Sequence, residues 1–139
     1  MDAESAVKEV NPESLRVTIF SFGFKHGVPV DANYLFDVRF LPNPYWQEEL
    51  RPKSGLDQEV SDYVVDSDEG KEFLKLLKPL LLSIASQASR SRKALHIGIG
   101  CTGGRHRSVS VVEALAQALG TDSSFEVHSS HRDIDKNGG

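Results

Sequence analysis

The chain has 139 residues, a formal net charge of −4, 39% hydrophobic and 26% charged residues, and a single cysteine, Cys101. That length fits one compact domain, and that composition excludes wholesale disorder. One cysteine excludes an internal disulfide framework and a cysteine-based zinc cage, and the acidic balance excludes a whole-molecule positive field for nucleic acid.

Residues 1–14 carry mixed charge without periodicity and read as a flexible lead-in. Residues 15–22 (LRVTIFSF) are β-branched and aromatic and predict a first strand, followed by a turn over 23–29. Residues 34–40 (YLFDVRF) predict a second strand. Pro42-Asn43-Pro44 then breaks regular structure, and residues 42–56 form a long ordered loop holding Tyr45 and Trp46. Asp66 and Glu69 have the spacing of a capping box, opening a helix that continues through Phe73, Leu77, Leu81 and Ala85. Pro79 kinks or splits that helix, and residues 86–93 are a polar, basic link.

Residues 95–99 (LHIGI) predict a strand entering a glycine-rich turn over 100–104. Val109, Val112, Ala116 and Leu119 mark a helix face, with Gly120 as its stop. A last strand falls at 125–129, and 134–139 is a flexible tail. Strands separated by helices give an α/β fold, a single three-layer domain with a mostly parallel sheet. Ligands of such sheets gather at the carboxyl ends of the strands. No apolar run approaches the roughly 18–20 residues of a membrane span, and the polar, acidic start is no signal peptide. These features predict a soluble, cytoplasmic protein with no membrane partner and a reduced thiol.

The informative segment is Gly98-Ile-Gly-Cys-Thr-Gly-Gly-Arg-His-Arg-Ser108. Glycines allow close backbone approach, and the helix that follows offers free N–H donors and partial positive charge to an anion. Thr102 and Ser108 add hydroxyls, and Arg105, His106 and Arg107 add donors suited to phosphate. The alternative is a tight strand-to-helix turn with solvated cations. Gly98, Gly100 and Gly103 match the dinucleotide fingerprint in letters, without the second βαβ half or the acidic residue it needs. The Walker pattern is absent. Cys101-x5-Arg107-Ser108 matches the cysteine-dependent phosphatases, in which a thiolate attacks, an arginine holds the phosphoryl oxygens and an aspartate protonates the leaving group. Gly100 stands where those enzymes carry histidine, and only Asp37 and Asp133 offer themselves as the acid. Cys101 as a small packing residue is the plainer reading. His26, His96, His128 and His131 form no metal-ligating pattern, and no cofactor is implied.

SFGFKHG (21–27), DANYLFDVRFLPNP (31–44), LRPKSGLD (50–57) and GCTGGRHRS (100–108), in that order, resemble the C-terminal domain of the RNase adapter protein RapZ family. His131-Arg132 resembles the family's ending. The resemblance covers residues 15–133 and implies a fold similar to part of phosphofructokinase. It also implies a non-catalytic sensor of glucosamine-6-phosphate that handles RNA and self-associates as a homo-oligomer. The phosphate loop would be Cys101, Thr102, Gly103, Gly104, Arg105, His106, Arg107 and Ser108. Asp37, Arg39 and Tyr45 would face the sugar, unless Asp37 and Arg39 are simply a strand-edge ion pair. Tyr45 stands where relatives often carry histidine. RNA would fall to Arg90, Arg92, Lys93 and Arg132, although the ending HRDIDKNGG places two aspartates among its cations. The N-terminal kinase-like domain of the family has no counterpart in these residues.

Overall fold

The structure is a computed structural model that describes residues 14–122 and 125–136. Four strands, β1 (Arg16–Gly23), β2 (Tyr34–Asp37), β3 (Ala94–Cys101) and β4 (Glu126–His131), form one sheet in the order β2-β3-β1-β4. All three pairings are parallel. Three helices, α1 (Gln58–Val65), α2 (Asp68–Ala88) and α3 (Arg107–Asp122), complete the α/β fold.

Strand alternation divides the sheet into two chemically different faces. Val17 pairs in register with Leu95, and Ile19 with Ile97. These side chains join Ile99, Val60, Val64, Leu81, Val112 and Leu115 in one buried core shared with all three helices. The opposite face carries Phe20 and Phe22 and is crossed by the connection 24–33. Phe24 meets the Phe22 ring edge-on at 4.9 Å, and Val28 to Asp31 share a groove with Phe20 and Ser130. The third layer expected from the sequence is therefore this connection, with a short 3-10 turn at Phe24–His26, rather than α-helix.

Several expected boundaries move. The second strand ends at Asp37, because Arg39 and Phe40 turn away, although Val38 still donates to Gly100 O at 2.8 Å. The cap of α2 is Ser67, not Asp66: Ser67 Oγ accepts the Gly70 amide at 3.0 Å and donates to Val64 O at 2.7 Å. Pro79 lies inside α2 without dividing it, and the helix runs on to Ala88, absorbing the first part of the expected link. Gly120 does not stop α3, which continues to Asp122. Helix α1 carries little sequence signal because it is short and rich in valine, a weak helix former. The lead-in 1–13 and residues 137–139 lie outside the described residues.

Candidate functional site

Strand order decides where a pocket can open. The connection from β1 leaves toward β2, and that from β3 leaves the other way, over β1 to β4. Diverging connections leave a crevice at the carboxyl ends of β1 and β3. A cavity of about 300 Å³ lies there, with Cys101, Thr102 and Gly103 on one side and Lys25 beyond the end of β1. Arg105, His106 and Arg107 line it from the start of α3, and Asn43, Tyr45 and Trp46 from the proline-rich loop.

The glycine turn is pressed onto the end of β1. Gly104 has φ +80°, and a Cβ there would stand 2.6 Å from Gly23 N. Only glycine meets both conditions at once. This close approach fixes the course of the turn that leads into α3, whose first amides have no partner within the helix.

Arg107 is 6% exposed. Its Nη1 donates to Arg39 O at 2.6 Å and to Leu41 O at 3.4 Å, and Nη2 donates to Thr102 Oγ1 at 3.4 Å. A guanidinium carries five N–H donors, and three of them are used in these bonds among the described residues. Burial lowers its pKa, with Cys101 and Asp37 opposing the shift, yet an arginine stays cationic at neutral pH. The result is a fixed, poorly hydrated positive charge in the cavity wall.

Arg105 is differently employed. Its Nε donates to Lys53 O at 3.1 Å, Nη1 to Ile134 O at 3.1 Å and Nη2 to Pro52 O at 2.9 Å, strapping three segments together. His106 Nε2 lies 3.1 Å from Arg51 O; a carbonyl only accepts, so this nitrogen carries the hydrogen. Burial chiefly, with Arg105 and Arg107 adding to it, holds the His106 pKa below the usual histidine value, so the ring is neutral at pH 7. Cys101 Sγ lies 3.1 Å from Ser108 Oγ, and both are buried.

Asp37 and Arg39 face one another. Arg39 Nη2 meets Asp37 Oδ2 at 2.7 Å, Nε meets both carboxylate oxygens, and the guanidinium lies 4.1 Å above the Phe24 ring. This side-chain bond is the main reason the Asp37 pKa is lowered, and Arg107 contributes. Neither residue lines the cavity, whereas Tyr45 does. Arg90, Arg92 and Lys93 follow α2 at the amino end of the sheet, and Arg132 follows β4 at the carboxyl end. The structure does not bring these four together.

Sequence reasoning passed over Lys25, Asn43 and Trp46 as lining residues. The signal lay in Pro42-Asn43-Pro44. Asn43 Oδ1 accepts the Tyr45 amide at 3.1 Å, forcing Pro44–Trp46 into a 3-10 turn, and Arg51 holds Tyr45 O at 2.7 Å. Among the described residues no group of histidine, cysteine or carboxylate side chains could hold a metal, and no helix is long and apolar enough to cross a membrane.

Known proteins are similar to this chain over most of its length. A nucleotide-binding protein of Brevibacillus brevis is 51% identical over 124 residues, covering 88% of this chain and 42% of that protein. One of Rhodococcus jostii is 46% identical over 132 residues, covering 94% and 43%, and one of a Nocardioides species is 49% identical over 121 residues, covering 86% and 40%. The chain thus spans about two fifths of the length of these relatives. Residues 15–135 match the RapZ C-terminal domain, and the chain belongs to that family.

Proposed function

We propose that this domain is a non-catalytic sensor that binds a phosphorylated sugar of the glucosamine-6-phosphate type, with the phosphate on the 102–107 turn. The observation that carries the reading is Arg107: a buried cation with donors to spare, at a helix start, in the wall of a cavity. Tyr45 and Trp46 supply an aromatic wall for the ring the phosphate is attached to, and aromatic faces suit the apolar C–H faces of a pyranose. Service as a cytoplasmic, self-associating RNA adapter is part of the same proposal. The separation of Arg132 from Arg90, Arg92 and Lys93 leaves any RNA track to form at one end of the sheet or the other, not across both.

A cysteine-dependent phosphatase is the second reading, favoured by Cys101 lining the cavity with Ser108 Oγ beside its sulfur. Its acid is the difficulty. Asp37 is held ionised by Arg39, so it has no proton to give a leaving group, and Asp133 is buried among cations. At position 100, a side chain would strike the Phe22 ring, 2.5 Å from the position of a Cβ.

Calorimetric titration with glucosamine-6-phosphate, glucose-6-phosphate, glucosamine and inorganic phosphate separates these readings. The sensor reading predicts binding of the phosphorylated compounds, strongest for the amino sugar. Arg107→Ala should weaken it at least about 10-fold, the scale of a lost charge-assisted hydrogen bond. Cys101→Ser should leave it intact. Phosphate release that disappears in Cys101→Ser would instead establish the phosphatase.

A further inference from the structure

The segment that follows β4 is held by several side-chain bonds to the end of β1 and the glycine turn. Asp133 is fully buried. Its Oδ2 accepts the Gly23 amide at 2.7 Å and Arg132 Nη2 at 2.8 Å, and its Oδ1 accepts Lys136 Nζ at 2.7 Å. Gly23 is the residue on which the glycine turn rests: a Cβ there would lie 2.4 Å from the carbonyl carbon of Gly103. A Cβ on Gly104 would come within 3.0 Å of Asp133 Cβ.

Two further ties reach the site from the same segment. Ile134 O accepts Arg105 Nη1 at 3.1 Å, and Arg132 Nη2 donates to Gly27 O at 2.7 Å, two residues beyond Lys25. Residues 132–134 therefore grip both lips of the cavity from behind: the turn after β3 and the connection after β1. None of residues 131–136 lines the cavity itself.

Resting on the phosphate-site reading, we infer that Asp133 is a positioning residue for that site, and that anion binding in front of the turn and docking of residues 131–136 behind it stabilise each other. A ligand that needs the turn in its docked shape favours the docked segment, and linkage makes the effect reciprocal. The Asp133 carboxylate is the hub because it alone receives the β1 amide and both neighbouring cations.

The test uses the full chain and inorganic phosphate. Hydrogen exchange with and without saturating phosphate should show amides of 131–136 slowed by at least about 5-fold, the lower end of ordinary coupling. Asp133→Asn keeps the shape and removes the charge. It should speed exchange at 103–106 and 131–136, leave α2 unchanged, and weaken phosphate at least about 5-fold. Arg132→Ala, which cuts the tie to Gly27, should act in the same direction and serves if Asp133→Asn fails to fold. Arg107→Ala tests the phosphate site itself. Unaltered exchange at 131–136 on phosphate saturation, with wild-type affinity in both tail variants, overturns the inference and leaves the phosphate site standing. Failure of the unsubstituted chain to bind phosphate overturns both.

Discussion

Arg105 and Arg107 stand two positions apart in one turn, yet the fold gives them different work. Arg105 spends a donor on each of three carbonyls, whereas Arg107, with two N–H groups outside the bonds it makes among the described residues, is the proposed holder of the phosphate. Arg105→Lys should therefore act mainly on stability, because one ammonium cannot reach all three carbonyls, while Arg107→Lys should act mainly on affinity. Urea unfolding of each variant beside its phosphate titration would show the split. Trp46 adds a second distinction at this scale. It is 71% exposed at the cavity edge, its ring 5.4 Å from and edge-on to Tyr45. Trp46→Ala should weaken glucosamine-6-phosphate by roughly 5-fold, about 1 kcal/mol, as expected of one lost aromatic contact. It should leave inorganic phosphate within about 2-fold, since phosphate offers no ring for the indole to stack on. Equal losses for both ligands would show that the indole shapes the phosphate site instead.

Among elements, the glycine turn and its helix were readable in the letters, because glycines, a strand pattern before them and an apolar stripe after them all agree. The same alternation of strands and helices gives a mostly parallel sheet, and every observed pairing is parallel. Cap positions were less readable. Asp66, Ser67 and Asp68 are all plausible caps in composition, and only the geometry selects Ser67, whose hydroxyl serves both α2 and the end of α1. Ser67→Ala should cost about 1 kcal/mol in urea unfolding, the usual loss for a helix cap. Gly104→Ala should cost more, about 2 kcal/mol or above, because it adds a left-handed backbone penalty to a collision with Gly23. The back wall of the site was not legible at all. Asp133 lies 110 residues from Gly23, and nothing local in HRDIDK announces a buried carboxylate.

For the molecule as a whole, the formal charge of −4 and the cationic cavity are compatible because the cations are fixed while much of the acidic charge is elsewhere. Asp133 links this arrangement to acid stability. Burial alone would raise its pKa, but the bonds from Arg132, Gly23 and Lys136 outweigh burial and hold it far below the usual aspartate range. A carboxyl whose folded pKa is depressed stabilises the fold above its unfolded value, near 3.9, and that stability is lost as pH falls through the folded value. Urea midpoints should therefore decline from about pH 5 downward, and Asp133→Asn should flatten part of that decline. A parallel fall in both proteins would assign the acid sensitivity to other carboxylates. The same indole that borders the cavity gives the molecule a colour of its own. Trp46 is the sole tryptophan in the chain, so every photon emitted by an indole in this protein comes from the rim of the crevice. Its emission should begin at the red, water-like end of the indole range and move toward the blue as a guest covers it, an optical record of occupancy that needs no label.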